Sequence, residues 1–169
     1  MKKLLFLLLL LTNILISQAQ ESEITTYYLI RHAEKERSDA THKNPNLTEK
    51  GEMRAKNWGV VFENVDFDLI YSTNYNRTIQ TATPTSINKN LEIKFYNPRE
   101  LYNEDFKNKT KHKTVLIVGH SNSTPLFVNK IIGKEKYVEI EDTNNSNLYI
   151  VTIINKSIID SQLKINHNL

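Results

Sequence analysis

Residues 24–30 read Ile-Thr-Thr-Tyr-Tyr-Leu-Ile, a β-branched and aromatic run that stops abruptly at Arg31-His32. Such a composition predicts a strand, and its apolar end predicts burial on both faces, as in a parallel sheet. A strong cation and an imidazole then stand together at the end of a buried strand. Ligands of open α/β sheets bind beyond the carboxyl ends of the strands. The pattern recurs twice. Residues 67–72 end at Ser72, with Arg77 just beyond, and residues 114–118 run into Gly119-His120. If these three strands are parallel neighbours, two His and two Arg converge on one crevice.

The segments between them read as helices. Residues 32–46 are a polar loop closed by Pro45. Thr48 fits an N-cap, with Glu49 near the positive helix end and Gly51 at N3. Met53, Trp58, Val61 and Phe62 keep helical spacing to about Asn64 and predict a core-facing stripe. A second helix starts near Arg77 and is predicted to end or kink at Pro84. Residues 91–96 alternate as a strand, and residues 97–113 predict a loop with a short helix around 101–106. Thr124-Pro125 fit the N-cap and N1 of a helix that Gly133 stops after Ile132. Residues 148–154 and 157–163 read as a closing hairpin turned at Asn155-Lys156. Strands alternating with helices predict an α/β fold: a three-layer α/β/α sandwich with a mostly parallel sheet and an antiparallel edge strand.

The chain has 169 residues, and residues 1–19 read as a signal peptide ahead of a single domain over 20–169. Lys2-Lys3 precede an apolar run over 4–11, and Ser17-Gln18-Ala19 offers small residues for cleavage. The apolar run falls short of the roughly 20 residues of a membrane span. An uncleaved anchor is the alternative, but no stable span remains after cleavage. This predicts an exported, periplasmic or extracellular protein. With no Cys in the chain, disulfides and a lipid-modified cysteine are excluded. The formal charge of +3 falls by two, to +1, once Lys2 and Lys3 leave. So small a net charge argues against a nucleic-acid partner, while a small anionic ligand needs only a local cluster. His42, His112 and His167 lie in polar stretches and are predicted to be surface residues.

The converging residues suit phosphate chemistry. Guanidinium forks bind phosphate oxygens in pairs and stay charged at any working pH. The helix opening near Thr78 would add backbone N–H groups. An imidazole in that cradle attacks phosphorus through one ring nitrogen while the other carries the proton. Flanking Arg charges disfavour imidazolium at His32. The resulting intermediate is a phosphohistidine that water hydrolyses, with His120 stabilising charge on the transferring oxygens. This scheme calls for no metal or other cofactor. A metal reading of His32, Glu34, His42 and His120 matches no standard ligand spacing.

Four motifs carry a resemblance. Leu29-Ile30-Arg31-His32-Ala33-Glu34, Leu47-Thr48-Glu49-Lys50-Gly51, the stretch from Ser72 through Arg77 to Gln80-Thr81-Ala82, and Val118-Gly119-His120-Ser121 occur in this order. Together they resemble the histidine phosphatase superfamily, the phosphoglycerate mutase-like fold, and within it the small exported bacterial branch. The resemblance implies His32 as phosphorylated nucleophile, Arg31, Arg77 and His120 as phosphate pocket, and a small-molecule phosphate ester as substrate. It also implies an acid for the leaving group. Glu100, in Pro98-Arg99-Glu100, is the matching candidate, with Glu34, Glu104 and Asp105 as rivals. The short chain favours phosphomonoester hydrolysis over mutase-like phosphoryl transfer. A noncatalytic phospholigand-binding domain is the other alternative.

Overall fold

A computed structural model describes residues 23–166; residues 1–19, read above as a signal peptide, and His167 lie outside the described residues. The chain alternates β1 (Ile24–Arg31), α1 (Glu49–Val61), β2 (Leu69–Ser72), α2 (Asn76–Lys89), β3 (Ile93–Phe95), α3 (Glu104–Thr110), β4 (Thr114–Gly119), α4 (Ser123–Ile132), β5 (Asn147–Ile154) and β6 (Ser157–Lys164). The six strands form one sheet in the order β3-β2-β4-β1-β5-β6. β1, β2, β3 and β4 are parallel, and β5 runs antiparallel to both β1 and β6. The fold is the α/β class read from the sequence, and its antiparallel part is the closing hairpin expected over the last two strands.

Strand alternation sorts the core into two layers. Ile30, Ile70, Leu116 and Val118 pack with Trp58 and Phe62 of the α1 segment and Ala82 of α2. Tyr27, Leu29, Tyr71, Val115 and Ile117 pack on the other face with Phe106 of α3 and Phe127 of α4. At about 25 cal/mol per Å² of apolar surface, these two layers dominate the stability.

Several element boundaries differ from the sequence reading. Trp58 and Phe62 are core, but Met53 is 41% exposed and Val61 38%; those two share the helical spacing without facing the sheet. α2 passes through Pro84 and stops at Asn90, which takes the left-handed conformation at φ 52°. The short helix after β3 starts later than expected, with Asn103 as N-cap accepting from Phe106 N–H. α4 starts earlier, because Asn122 caps it by accepting from Ser123 N–H.

The parallel register fixes the site. Arg31 pairs with Gly119 across β1 and β4, while Ser72 pairs with Val118 across β2 and β4. The three loaded turns therefore leave the same edge of the sheet side by side.

Candidate active site

His32 is the first residue past β1, 4% exposed, with its backbone N–H on Gly119 O. Its Nδ1 lies 2.7 Å from the carbonyl oxygen of Ala33. A carbonyl only accepts, so Nδ1 carries the proton and Nε2 keeps its lone pair. Two further contacts hold this short segment. Ala33 N–H donates to Thr81 Oγ1 at 2.9 Å, and Asn145 Nδ2 donates to His32 O at 2.8 Å. Burial, then the charges of Arg31 and the neighbouring His120 and Arg77, lower the His32 pKa to about 3, although the Ala33 bond works the other way. The ring is therefore neutral throughout the physiological range.

His120 stands edge-on to His32, with ring centroids 5.5 Å apart. Its Nδ1 faces Arg77 Nη2 at 3.4 Å and its Nε2 faces Thr73 Oγ1 at 2.9 Å. A guanidinium donates only, so Nδ1 is the accepting nitrogen and Nε2–H donates to Thr73. Thr73 Oγ1 in turn bonds Thr78 Oγ1 at 2.9 Å. Arg77 thus sets the His120 tautomer, and the buried threonine pair receives its Nε2–H. Burial and then the charges of Arg77, Arg31 and Lys35 lower its pKa to about 4. The neutral ring corrects any picture of His120 as a resting cation: its one N–H is held by Thr73, and it serves a phosphoryl oxygen only by exchanging that bond.

The two arginines are not equivalent. Arg77 lies over the Tyr75 ring at 4.5 Å, and its Nε and Nη1 are buried without a partner. Arg31 is 2% exposed and largely committed. Its Nη1 donates to the carbonyls of Glu141, Asp142 and Asn144 at 2.9–3.0 Å, and its Nη2 to Asp142 Oδ1 at 2.7 Å. Only its Nε is unpartnered. Among the described residues three guanidine nitrogens at one sheet edge have no acceptor, which suits an anionic ligand, since buried donors are otherwise almost always satisfied. The backbone at the start of α2 adds less than the sequence suggested. Asn76 N–H is taken by Asn44 Oδ1 and Thr78 N–H by Tyr75 O.

These groups open into one crevice of about 440 Å³, lined by Arg31, His32, Arg77 and His120 with Lys35, Tyr75, Arg99, Ser121, Glu139 and Asp142 among its walls. Glu100 is not part of it. Glu100 N–H and Arg99 N–H both bond Asn97, which closes a tight turn. That turn sends Pro98 and Arg99 to the crevice and leaves Glu100 in a separate cleft with Tyr71, Tyr96 and Asp105. The rivals are also occupied elsewhere. Glu104 pairs with Lys107 and Asp105 with Lys109 on the surface of α3. Glu34 takes Arg54 in a two-point bond at 2.7 and 2.8 Å. Burial of the Glu34 carboxyl opposes ionisation, but the Arg54 bonds outweigh it and hold the pKa below the usual range.

Sequence reading missed Thr73, Thr81, Asn145 and Glu139. Thr81 had a signal, because it falls inside the Arg77-to-Ala82 motif. Asn145 and Glu139 had none: they lie in the irregular segment between α4 and β5, whose path is set by tertiary contacts.

A parallel-edge histidine with a free Nε2, a second histidine and a guanidinium cradle on this sheet order define a phosphoglycerate mutase-like α/β protein. Residues 27–98 match the family model for the histidine phosphatase superfamily, branch 1. Over that stretch the chain is similar to the superfamily. Three solved structures illustrate the shared fold. A phosphoglycerate mutase from Bacillus anthracis aligns with TM-score 0.63 and 14% identity, covering 85% of this chain and 94% of its own. The alpha-ribazole phosphatase from Shigella flexneri gives TM-score 0.62 and 17% identity over 85% of this chain and 100% of its own. A protein described as phosphohistidine phosphatase SixA from Agrobacterium tumefaciens gives 0.60 and 19%, over 82% and 97%. No curated protein matches the sequence.

Proposed function

We propose that the protein is a phosphomonoester hydrolase that works through phospho-His32. The observation that carries this reading is the His32 ring itself: Nδ1 is tied to Ala33 O, so the unprotonated Nε2 is left for attack beside the unpartnered nitrogens of Arg77. The phosphoryl group passes to Nε2, where Arg77, Arg31 Nε and His120 stabilise its equatorial oxygens. Water then cleaves the phosphohistidine. Phosphatases and a mutase among the structural neighbours support phosphoryl chemistry in general.

The substrate is a small or envelope-associated phosphate ester, and the working compartment is the periplasm or the exterior, as the Lys2-Lys3 and apolar run of residues 1–19 suggest. The test is direct. The protein is expected to hydrolyse a generic aryl phosphate, to be inhibited by phosphate or vanadate, and to yield acid-labile label on His32 in rapid-quench trapping. His32→Ala is expected to lose turnover and label together. A wild type inert across a broad panel of phosphomonoesters leaves a phospholigand-binding domain instead.

A further inference from the structure

Departure of an alkoxide requires a proton, and the acid expected from the sequence does not reach the crevice. Two carboxylates do line it, Glu139 and Asp142. Asp142 is spent: Arg31 and Arg37 bind both of its oxygens at 2.7–2.9 Å. The bonds from Arg37 and then Arg31 hold its pKa at about 2, so it does not carry a proton at working pH. Glu139 is bound by no arginine among the described residues. At the exposed rim of the crevice its Oε1 accepts from Ser121 Oγ at 3.1 Å, and among the described residues no bond engages its Oε2. Ser121 follows His120 directly, so this bond ties the carboxyl to the phosphoryl-stabilising histidine. The backbone beside it is fixed as well. Ile140 N–H donates to Ser121 O at 2.9 Å, and the next residues supply the three carbonyls gripped by Arg31. Glu139 thus stands on a segment anchored to both His-bearing turns.

We infer that Glu139 is the general acid and base of the reaction, an inference that rests on the phosphohistidine reading above. In the first step His32 Nε2 forms a bond to phosphorus while the ester P–O bond breaks. The electron pair goes to the leaving oxygen, which takes the Glu139 proton and departs as the alcohol. In the second step water attacks phosphorus, the P–N bond breaks, and the water proton returns to the Glu139 carboxylate. Free His32, inorganic phosphate and the protonated acid are restored.

Leaving-group dependence separates an acid from a structural carboxylate. Glu139→Gln keeps an acceptor for Ser121 and removes only the proton. In single-turnover measurements of ester cleavage by the purified protein, this variant is expected to lose roughly 10²-fold with an alkyl phosphate such as glycerol phosphate. With 2,4-dinitrophenyl phosphate, whose phenolate leaves unprotonated, it is expected to change by less than about threefold. Glu139→Asp should recover part of the alkyl rate. Equal losses on both esters, no loss on either, or a selective loss in Lys35→Met instead of Glu139→Gln would overturn the assignment. Failure of wild type on dinitrophenyl phosphate would sink the hydrolase reading and Glu139 with it, whereas wild-type turnover with a null Glu139 effect sinks the acid alone.

Discussion

Arg77 is kept where folding alone would not keep it. Its side chain is half-buried, with Nε and Nη1 buried and unpartnered among the described residues, and it rests on the Tyr75 ring and on His120 Nδ1. A buried charge without a counterion costs several kcal/mol before relaxation, and functional sites commonly hold such a cost. Arg77→Met is therefore expected to raise the apo melting temperature, by about 2–4 °C for each kcal/mol recovered. The same variant should lose the thermal stabilisation that phosphate or vanadate gives the wild type. Thermal shift with and without the anion measures both. The histidines behave in a related way on acidification. His32 and His120 titrate near 3 and 4 in the folded state against 6.5 for an unperturbed ring. Between those values the unfolded chain binds more protons, so stability is complete above about pH 6.5 and falls as the pH drops through 4 toward 3. Melting temperature measured from pH 7 to 4 is expected to fall, and to fall less in His32→Ala and in Arg77→Met. A catalytic rate that showed an acid limb centred near 6.5 would contradict a neutral His32.

At the scale of elements, the junction of β1 and α1 explains motif residues that do no chemistry. Thr48 Oγ1 accepts from Gly51 N–H at 3.1 Å, and Thr48 N–H donates to Glu34 O at 2.9 Å. A Cβ on Gly51 would lie 2.1 Å from that same Glu34 oxygen. Gly51→Ala must push α1 off the loop that follows His32, and overpacking of this kind costs about 1–3 kcal/mol. It is expected to lower both melting temperature and turnover, with similar loss on alkyl and aryl esters; denaturant titration and kinetics on both esters check this. Glycine at this point, the Thr48 cap and the Arg-His strand end were all legible, because each is a local signal of a few residues. Of the two outcomes read at Pro84, an end or a kink, the end is not taken, because propensity is a weak prior against a helix packed on the sheet. Met53 and Val61 were misread because periodicity gives spacing and not the width of the buried stripe. Glu100 stands outside the crevice for a geometric reason: one turn at Asn97 decides which of Arg99 and Glu100 faces it.

Across the whole molecule, Arg31 is the residue that joins the ends of the fold. It sits at the last position of β1 and grips three carbonyls and a carboxylate more than 100 residues away, between α4 and β5. That irregular segment carries Glu139 and Asn145, and Asn145 returns a bond to His32 O. The sequence read Arg31 as phosphate-binding, and its orphaned Nε keeps that role open. Its larger task is to fix the segment that closes the crevice, a task invisible before the chain is folded. The two roles respond differently to substitution. Lys keeps the charge but offers one ammonium in place of a planar fork. Arg31→Lys therefore leaves several of those carbonyls unsatisfied, at about 1–3 kcal/mol for each buried group that water does not reach. The variant is expected to melt well below wild type and to lose turnover through a displaced segment, with added susceptibility to proteolysis between α4 and β5. A pure phosphate ligand would instead raise KM for the ester and leave melting temperature and the proteolytic pattern unchanged. Thermal denaturation, limited proteolysis with mapped cleavage sites, and KM against kcat for the Arg31→Lys protein distinguish the two.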